Sequence, residues 1–240
     1  MKPAISIIIP AYNEAAYLSD ALNSVKSQTY DHDALEVIVI DNASTDQTVR
    51  VYWDFVQNNE LRFKMCLAEE KILGVSRAKN RGATLAKGDI LLFLDADSEM
   101  SPNLAEVVSN YYQRGFKMGI IQLKPKSSDW LAKHFFQLIE FGKRTFRIAA
   151  QMGYCDRQLF WLEGGFNPSL RLSEDLDFFT RLKKRLKQTG EDFSYISEAC
   201  IYTSTRRLDY FPLKSGYFLI FFQWLLSFLG LGREHYKAYR

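Results

Sequence analysis

Two aspartates, Asp95 and Asp97, follow the apolar run Leu91-Leu92-Phe93-Leu94 with only Ala96 between them. Carboxylates so placed at the end of a buried strand can both reach a hard divalent cation or a sugar hydroxyl. Magnesium or manganese held there would bridge phosphate oxygens and neutralise a leaving diphosphate. A solvated turn capping the next helix explains the same residues more plainly, and a D-x-D alone decides nothing. Asp41 ends the apolar run 37–40. Its carboxylate can accept hydrogen bonds from a base imino group or from sugar hydroxyls, or it can cap a turn. Glu174 and Asp175 stand behind Ser173 and downstream of Gly164-Gly165-Phe166. Ser173 has the character of an N-cap, and acids in a first helical turn are favoured by the helix dipole. Asp177-Phe178 just after, and the glycine pair before, weigh toward a shaped site.

These side chains need elements to aim them. Residues 5–9 form a β-branched run ended by Pro10, residues 36–40 a second run and residues 90–94 a third, each reading as a fully buried strand. Residues 61–67 predict a further strand between the second and third of these. Helical spacing appears at 14–28, 48–58, 76–86 and from Pro102 to 113. Alternation of strand and helix over the first ~120 residues demands crossover connections and a mostly parallel sheet covered on both faces. In such sheets ligands sit beyond the carboxyl ends of the strands. Those ends carry Pro10-Ala11-Tyr12-Asn13-Glu14, Asp41-Asn42 and Asp95-Ala96-Asp97, so three acidic strand ends should converge on one edge.

The second half is less regular. Residues 120–123 predict a strand, 130–150 an amphipathic helix, 173–187 a helix with a basic second half, and 193–196 and 199–203 two short strands. A chain of 240 residues without repeats or long linkers is one domain with an extension. Three scattered cysteines, Cys66, Cys155 and Cys200, exclude a disulfide framework and a zinc site, and fit a reducing compartment. A net charge of +3 is too small for a nucleic-acid footprint. The first residues do not read as a secretory signal, because Pro10 and Asn13-Glu14 break a run of five.

Six motifs stand in order: Ile7-Ile8-Ile9-Pro10-Ala11-Tyr12-Asn13-Glu14, Asp41-Asn42-Ala43-Ser44-Thr45-Asp46, Ala78-Lys79-Asn80-Arg81-Gly82, Phe93-Leu94-Asp95-Ala96-Asp97, Gly164-Gly165-Phe166 and Glu174-Asp175-Leu176-Asp177-Phe178. Together, over about residues 4–207, the chain resembles a family 2 glycosyltransferase. The resemblance implies the GT-A fold, an α/β, Rossmann-like, mostly parallel sheet flanked by helices. It implies a metal-dependent, inverting transfer from a nucleoside diphosphate-sugar, a UDP-sugar first, to a hydroxyl acceptor. Pro10, Ala11, Tyr12 and Glu14 would line the nucleotide pocket, and Asp41 would contact base or ribose. Lys79 stands where the family often has arginine; with Asn80 it would face the nucleotide. Asp95 would lie near the ribose with Ala96 beside it, Asp97 would hold Mn2+ or Mg2+, and Arg206 lies in a segment near the diphosphate. Asp175 would be the general base, with Glu174 next to it. Some members place a histidine near that segment as a further ligand; here none occurs between His134 and His235.

The GT-A domain is expected over residues 1–212, followed by an apolar helical tail over 213–240. Within 216–232 only Gln223 and Ser227 carry polar side chains, and basic residues flank both ends. That pattern suits an interfacial helix better than a simple spanning one. It predicts peripheral membrane contact through 213–232, at the cytoplasmic face of the cell membrane; a buried helix or a homodimer interface is the plainer alternative. The acceptor would be lipid-linked or a saccharide. A non-catalytic nucleotide-sugar-binding or scaffold protein of the same fold is the competing reading of the whole chain. A nucleotidyltransferase is a weaker one, since Tyr12-Asn13-Glu14 offers no glycine-rich phosphate loop.

Overall fold

The computed structural model describes residues 2–170 and 172–206. The tail 213–240, the membrane or dimer contact expected of 213–232 and the 212/213 boundary lie outside the described residues.

The first half alternates as expected: β1 (Ile5–Ala11), α1 (Leu18–Lys26), β2 (Leu35–Asp41), α2 (Thr48–Asn58), β3 (Lys64–Glu69), α3 (Val75–Leu85) and β4 (Ile90–Phe93). β5 (Ser98–Met100), α4 (Leu104–Gln113), β6 (Met118–Pro125), α5 (Trp130–Thr145), β7 (Gly153–Asp156), α6 (Arg157–Leu162), α7 (Glu174–Gln188) and β8 (Ser194–Thr203) follow. The described strands form one sheet in the order β3-β2-β1-β4-β7-β6-β8-β5. β1 to β4 are mutually parallel, whereas β7 runs antiparallel between β4 and β6, and β5 antiparallel to β8. The sheet is therefore parallel through its first half and mixed beyond it.

Alternate strand residues feed two cores, as pleating requires. Ile5, Ile7, Ile9, Val37, Val39 and Leu92 face α1, α2 and α4, while Ile8, Ile38, Ile40, Leu91 and Phe93 face α3, α6 and α7. Burial on both faces explains why these strands read as unbroken apolar runs.

Four expectations need correction. Pro10 does not end β1, which continues to Ala11. Ile8 accepts from Leu94 on the β4 side and Ala11 accepts from Asn42 on the β2 side. Pro10 shares the side of Ile8, where β4 pairing stops at Phe93, so its missing N–H costs no ladder bond. The two short C-terminal strands are one: Ile196 pairs Ile121 and Cys200 pairs Gln122, with the residues between bulged out. The expected helix at 14–28 begins only at Leu18, after a turn closed by the Leu18 N–H on the Glu14 carbonyl, 2.9 Å. The helix expected to run to residue 150 stops at Thr145, where Arg147 takes a positive φ of 49°.

Candidate functional site

The order β2-β1-β4 brings three strand ends to one edge. The loops beyond β1 and β2 are laced together by backbone donors left over where strands stop. Asn13, at φ 53°, accepts from the Thr45 N–H at 2.8 Å, and its own N–H donates to Ser44 Oγ at 3.0 Å. Glu14 N–H donates to Thr48 Oγ1 at 2.8 Å and Ala15 N–H to Asp46. Asp41 is buried, and its carboxylate accepts from the Ser44 N–H at 3.3 Å. Asn42 braces the third strand's loop, donating to the Glu70 and Ile72 carbonyls and accepting from the Gly74 N–H. The end of β1, with Pro10 and Ala11, and the turn that carries Tyr12 and Glu14 thus stand beside Asp41 at the end of β2. Asn13, Asn42 and Asp46, which shape this rim, were visible in the sequence only as a polar turn.

On this rim Arg206 bridges two strand ends. Its guanidinium contacts the Glu14 carboxylate, lies 3.0 Å from Asp97 Oδ2 and stacks over Tyr17 with its centre 4.6 Å from the ring centroid. The segment after β8 is thereby tied to β1 and β4. A cavity of about 260 Å3 opens here, lined by Tyr17, Lys126, Ser204, Thr205 and Arg206. A larger one of about 560 Å3, between Tyr111, Arg144, Arg147 and Tyr195, includes none of the strand-end residues.

The second acidic group belongs to α7. Gly82 lets α3 lie against β1, since a Cβ there would stand 2.4 Å from Ile8 Cγ2. That close approach buries Lys79, whose Nζ is 2.8 Å from Glu174 Oε1 and 5.1 Å from the Phe166 ring centroid. Burial pushes the Lys79 pKa down, but Glu174, Asp95 and Asp175 together more than reverse this, and the ammonium is held firmly charged. Asp175 is partly buried beside this pair. Burial first, then the charge of Glu174, pushes its pKa up from 3.8 to about 6, against the opposing pull of Lys79. Asp95 acts electrostatically on both Lys79 and Asp175. Asp95, at the D-x-D strand end, thus stands near enough to the first turn of α7 to act on its charges.

The turn before α7 is fixed from two sides. Asn80 donates to the Phe166 carbonyl at 2.8 Å and accepts from the Phe166 N–H at 2.9 Å, so its amide holds the turn rather than standing open toward the rim. Gly165, at φ 70°, is needed there, because a Cβ would meet Asn80 Oδ1 at 2.7 Å. Arg181 donates to the Glu163 and Gly165 carbonyls and to Asp177. Ser173 occupies the N-cap position at φ 58° without a side-chain capping bond. Its expected hydroxyl cap is absent because the left-handed backbone turns the chain, and its carbonyl accepts from Asp177 instead.

Among the described residues no three His, Cys, Asp or Glu side chains gather into a cation-holding group. Magnesium and manganese do not demand one: one or two carboxylates plus substrate phosphates suffice. Asp95 and Asp97, hard oxygen donors at one strand end, fit that requirement.

Residues 6–162 match the family model described as Glycosyl transferase family 2. The glycosyltransferase GlyG of Streptococcus pneumoniae serotype 4 is 27% identical over 160 residues, covering 66% of this chain and 48% of GlyG. S. aureus TarS 1–349, solved with UDP-GlcNAc, superposes with a TM-score of 0.68 at 19% identity over 84% of this chain and 58% of TarS 1–349. The mannosyltransferase PcManGT from Pyrobaculum calidifontis, solved with GDP-Man and Mn2+, gives 0.66 at 22% identity, over 82% and 55%. The chain spans about half the length of these proteins. The likeness to the solved structures establishes the GT-A fold. Among the described residues no helix is long and apolar enough to cross a membrane.

Proposed function

This chain belongs to glycosyl transferase family 2, and we propose that it transfers a sugar from a nucleoside diphosphate-sugar to a hydroxyl acceptor with inversion, using Asp175 as the base. The observation that carries this reading is the charge count at α7. One buried ammonium, Lys79, serves three carboxylates, Glu174, Asp95 and Asp175; it contacts Glu174, and Asp175 is left with a pKa near 6. A carboxylate poised there is ionised at neutral pH yet basic enough to accept a proton.

In a single displacement the acceptor oxygen bonds to the anomeric carbon, the bond from that carbon to the diphosphate breaks, and the diphosphate leaves with the electron pair. The acceptor proton passes to an Asp175 carboxylate oxygen. One base suffices, unlike the two carboxylates of a hydrolase. Pro10, Ala11, Tyr12, Asp41 and Asp95 would hold the nucleoside, with Arg206 turned to the diphosphate. Asp97, with Asp95 beside it, would hold Mg2+ or Mn2+, which neutralises charge on the departing diphosphate when bound. A UDP-sugar is the first choice of donor, supported by the UDP-GlcNAc bound to TarS 1–349; the GDP-Man bound to PcManGT makes a GDP-sugar the second. The same reading assigns residues 1–212 to the catalytic domain. It assigns 213–232 to peripheral contact at the inner face of the cell membrane, where a lipid-linked or saccharide acceptor is presented; a homodimer contact is the other use of that segment.

The test is a thermal-shift screen of the full chain with UDP- and GDP-sugars and manganese, followed by NMR of the product's anomeric configuration. One donor should stabilise selectively, since stabilisation follows ligand concentration over Kd, and its sugar should appear inverted on the acceptor. Stabilisation by no donor, or a retained configuration, overturns the reading.

A further inference from the structure

The helix α5 is apolar on both faces. At 100° per residue, positions 130, 134, 138, 141 and 145 share one face. That face is the outer one: Trp130 is 69% exposed, Leu138 60% and Phe141 67%. The inner face buries Ala132 and Ile139 together with an ion pair, Glu140 and Lys143, 2.6 Å apart. Lys143 also donates to Gln151 Oε1 at 2.9 Å, and the Tyr195 hydroxyl donates to Glu140. A surface helix ordinarily keeps its outer face polar and its charges wet. Burying an ion pair brings little net stability. Three large apolar side chains left in water on the same helix bring none. Large apolar side chains grouped on one exposed face mark a contact surface.

The charges say what covers it. Glu140 is the only carboxylate in α5, and it is turned inward. The outer face is flanked by exposed Lys133 and Arg144, with Phe146 exposed just beyond the helix end. Trp130 and Phe141 between lysine and arginine, with no exposed acid, is the composition of a helix lying in the headgroup region of an anionic bilayer. A second copy of this chain docked by the same face would bring the same uncompensated Lys133 and Arg144 to the contact.

We propose that α5 is a membrane-docking face that inserts Trp130, Leu138 and Phe141 into an anionic lipid surface. The proposal rests neither on the transfer reaction nor on residues 213–232, and it concerns a different part of the chain. The experiment is co-sedimentation of the full chain with vesicles of phosphatidylcholine alone or with one third phosphatidylglycerol. Wild type should bind the anionic vesicles. L138Q/F141Q should bind them at least tenfold more weakly, with thermal stability and donor-induced stabilisation unchanged, and K133E/R144E should lose the preference for anionic over neutral lipid. No wild-type binding overturns the proposal, as does L138Q/F141Q binding like wild type, which would place the contact elsewhere. A wild-type dimer in sedimentation that L138Q/F141Q dissolves without altering vesicle binding assigns the face to a second copy and also overturns it.

Discussion

The site holds two clusters of similar make-up and different consequence. At the β1 and β4 ends, Arg206 contacts two carboxylates, Glu14 and Asp97. At the α7 end, Lys79 contacts only Glu174 and leaves Asp175 beside it. The flanking carboxylates are similarly buried, with side-chain exposures of 12% and 10% in the first cluster and 13% for Glu174 in the second. What differs is reach. A guanidinium is a fork with donors for two partners, whereas an ammonium is a point charge. The first cluster shares one guanidinium between two carboxylates; the second gives its ammonium to Glu174, and the neighbouring Asp175 accepts a backbone hydrogen bond from the Leu176 N–H.

The largest effect should come from replacing Asp175. Asp175→Asn should lower kcat by about 10²–10⁴-fold, the usual worth of a general base, while calorimetry shows donor binding retained. Wild-type kcat/KM should rise with pH through about 6, as the Asp175 carboxyl gives up its proton. A flat profile between pH 5 and 7 would remove Asp175 from the reaction. Next in size, Lys79→Met takes the cation from a buried carboxylate and should cost on the order of 3–5 kcal/mol, read as a fall in Tm. Because Lys79 holds the Asp175 pKa down, the acid limb of any remaining activity should move to higher pH.

The stretch from β1 to β4 was legible because buried parallel strands write themselves as continuous apolar runs, and the runs halt at Pro10, Asp41 and Asp95. The elements it did not reveal are short. β7 has four residues, β5 three and α6 six, too few for any period to show. The pairings were hidden for another reason. Lys79 meets Glu174 across 95 residues and Arg206 meets Glu14 across 192, so both depend on how crossovers return, which spacing does not encode. One signal was available at Lys79. It shares the inward face of α3 with Ser76, Gly82 and Ala83, all buried, and a lysine on such a face requires an acid opposite.

Asp175 should also show its cost in stability. The native state holds this proton more tightly than the unfolded chain, with a pKa near 6 against 3.8. Stability from this group is therefore fully present below about pH 4, is lost as pH rises through about 6, and stays lost at pH 7. Asp175→Asn should recover roughly 1–3 kcal/mol at pH 7, a Tm rise of several degrees that closes on approach to pH 4. An inactive variant more stable than wild type is the signature of a group kept for chemistry.

Arg206→Gln should have the smallest effect, and it sharpens the contrast most. Arg206 contacts more carboxylates than Lys79, so a count of ion pairs would rank it first. Its side chain is 30% exposed against 8% for Lys79, and it stands at the mouth of the 260 Å3 cavity. A shorter glutamine there admits water to Glu14 and Asp97, which replaces much of what the guanidinium supplied. Lys79, packed against Phe166, gives water less access. The loss at Arg206 should stay near 1 kcal/mol or below and shrink further in high salt, while the Lys79 loss should hardly respond to salt. Equal losses with equal salt dependence would mean that the two clusters do not differ in access to water, and the assignment of one to holding charge and the other to moving a proton would lose its physical basis.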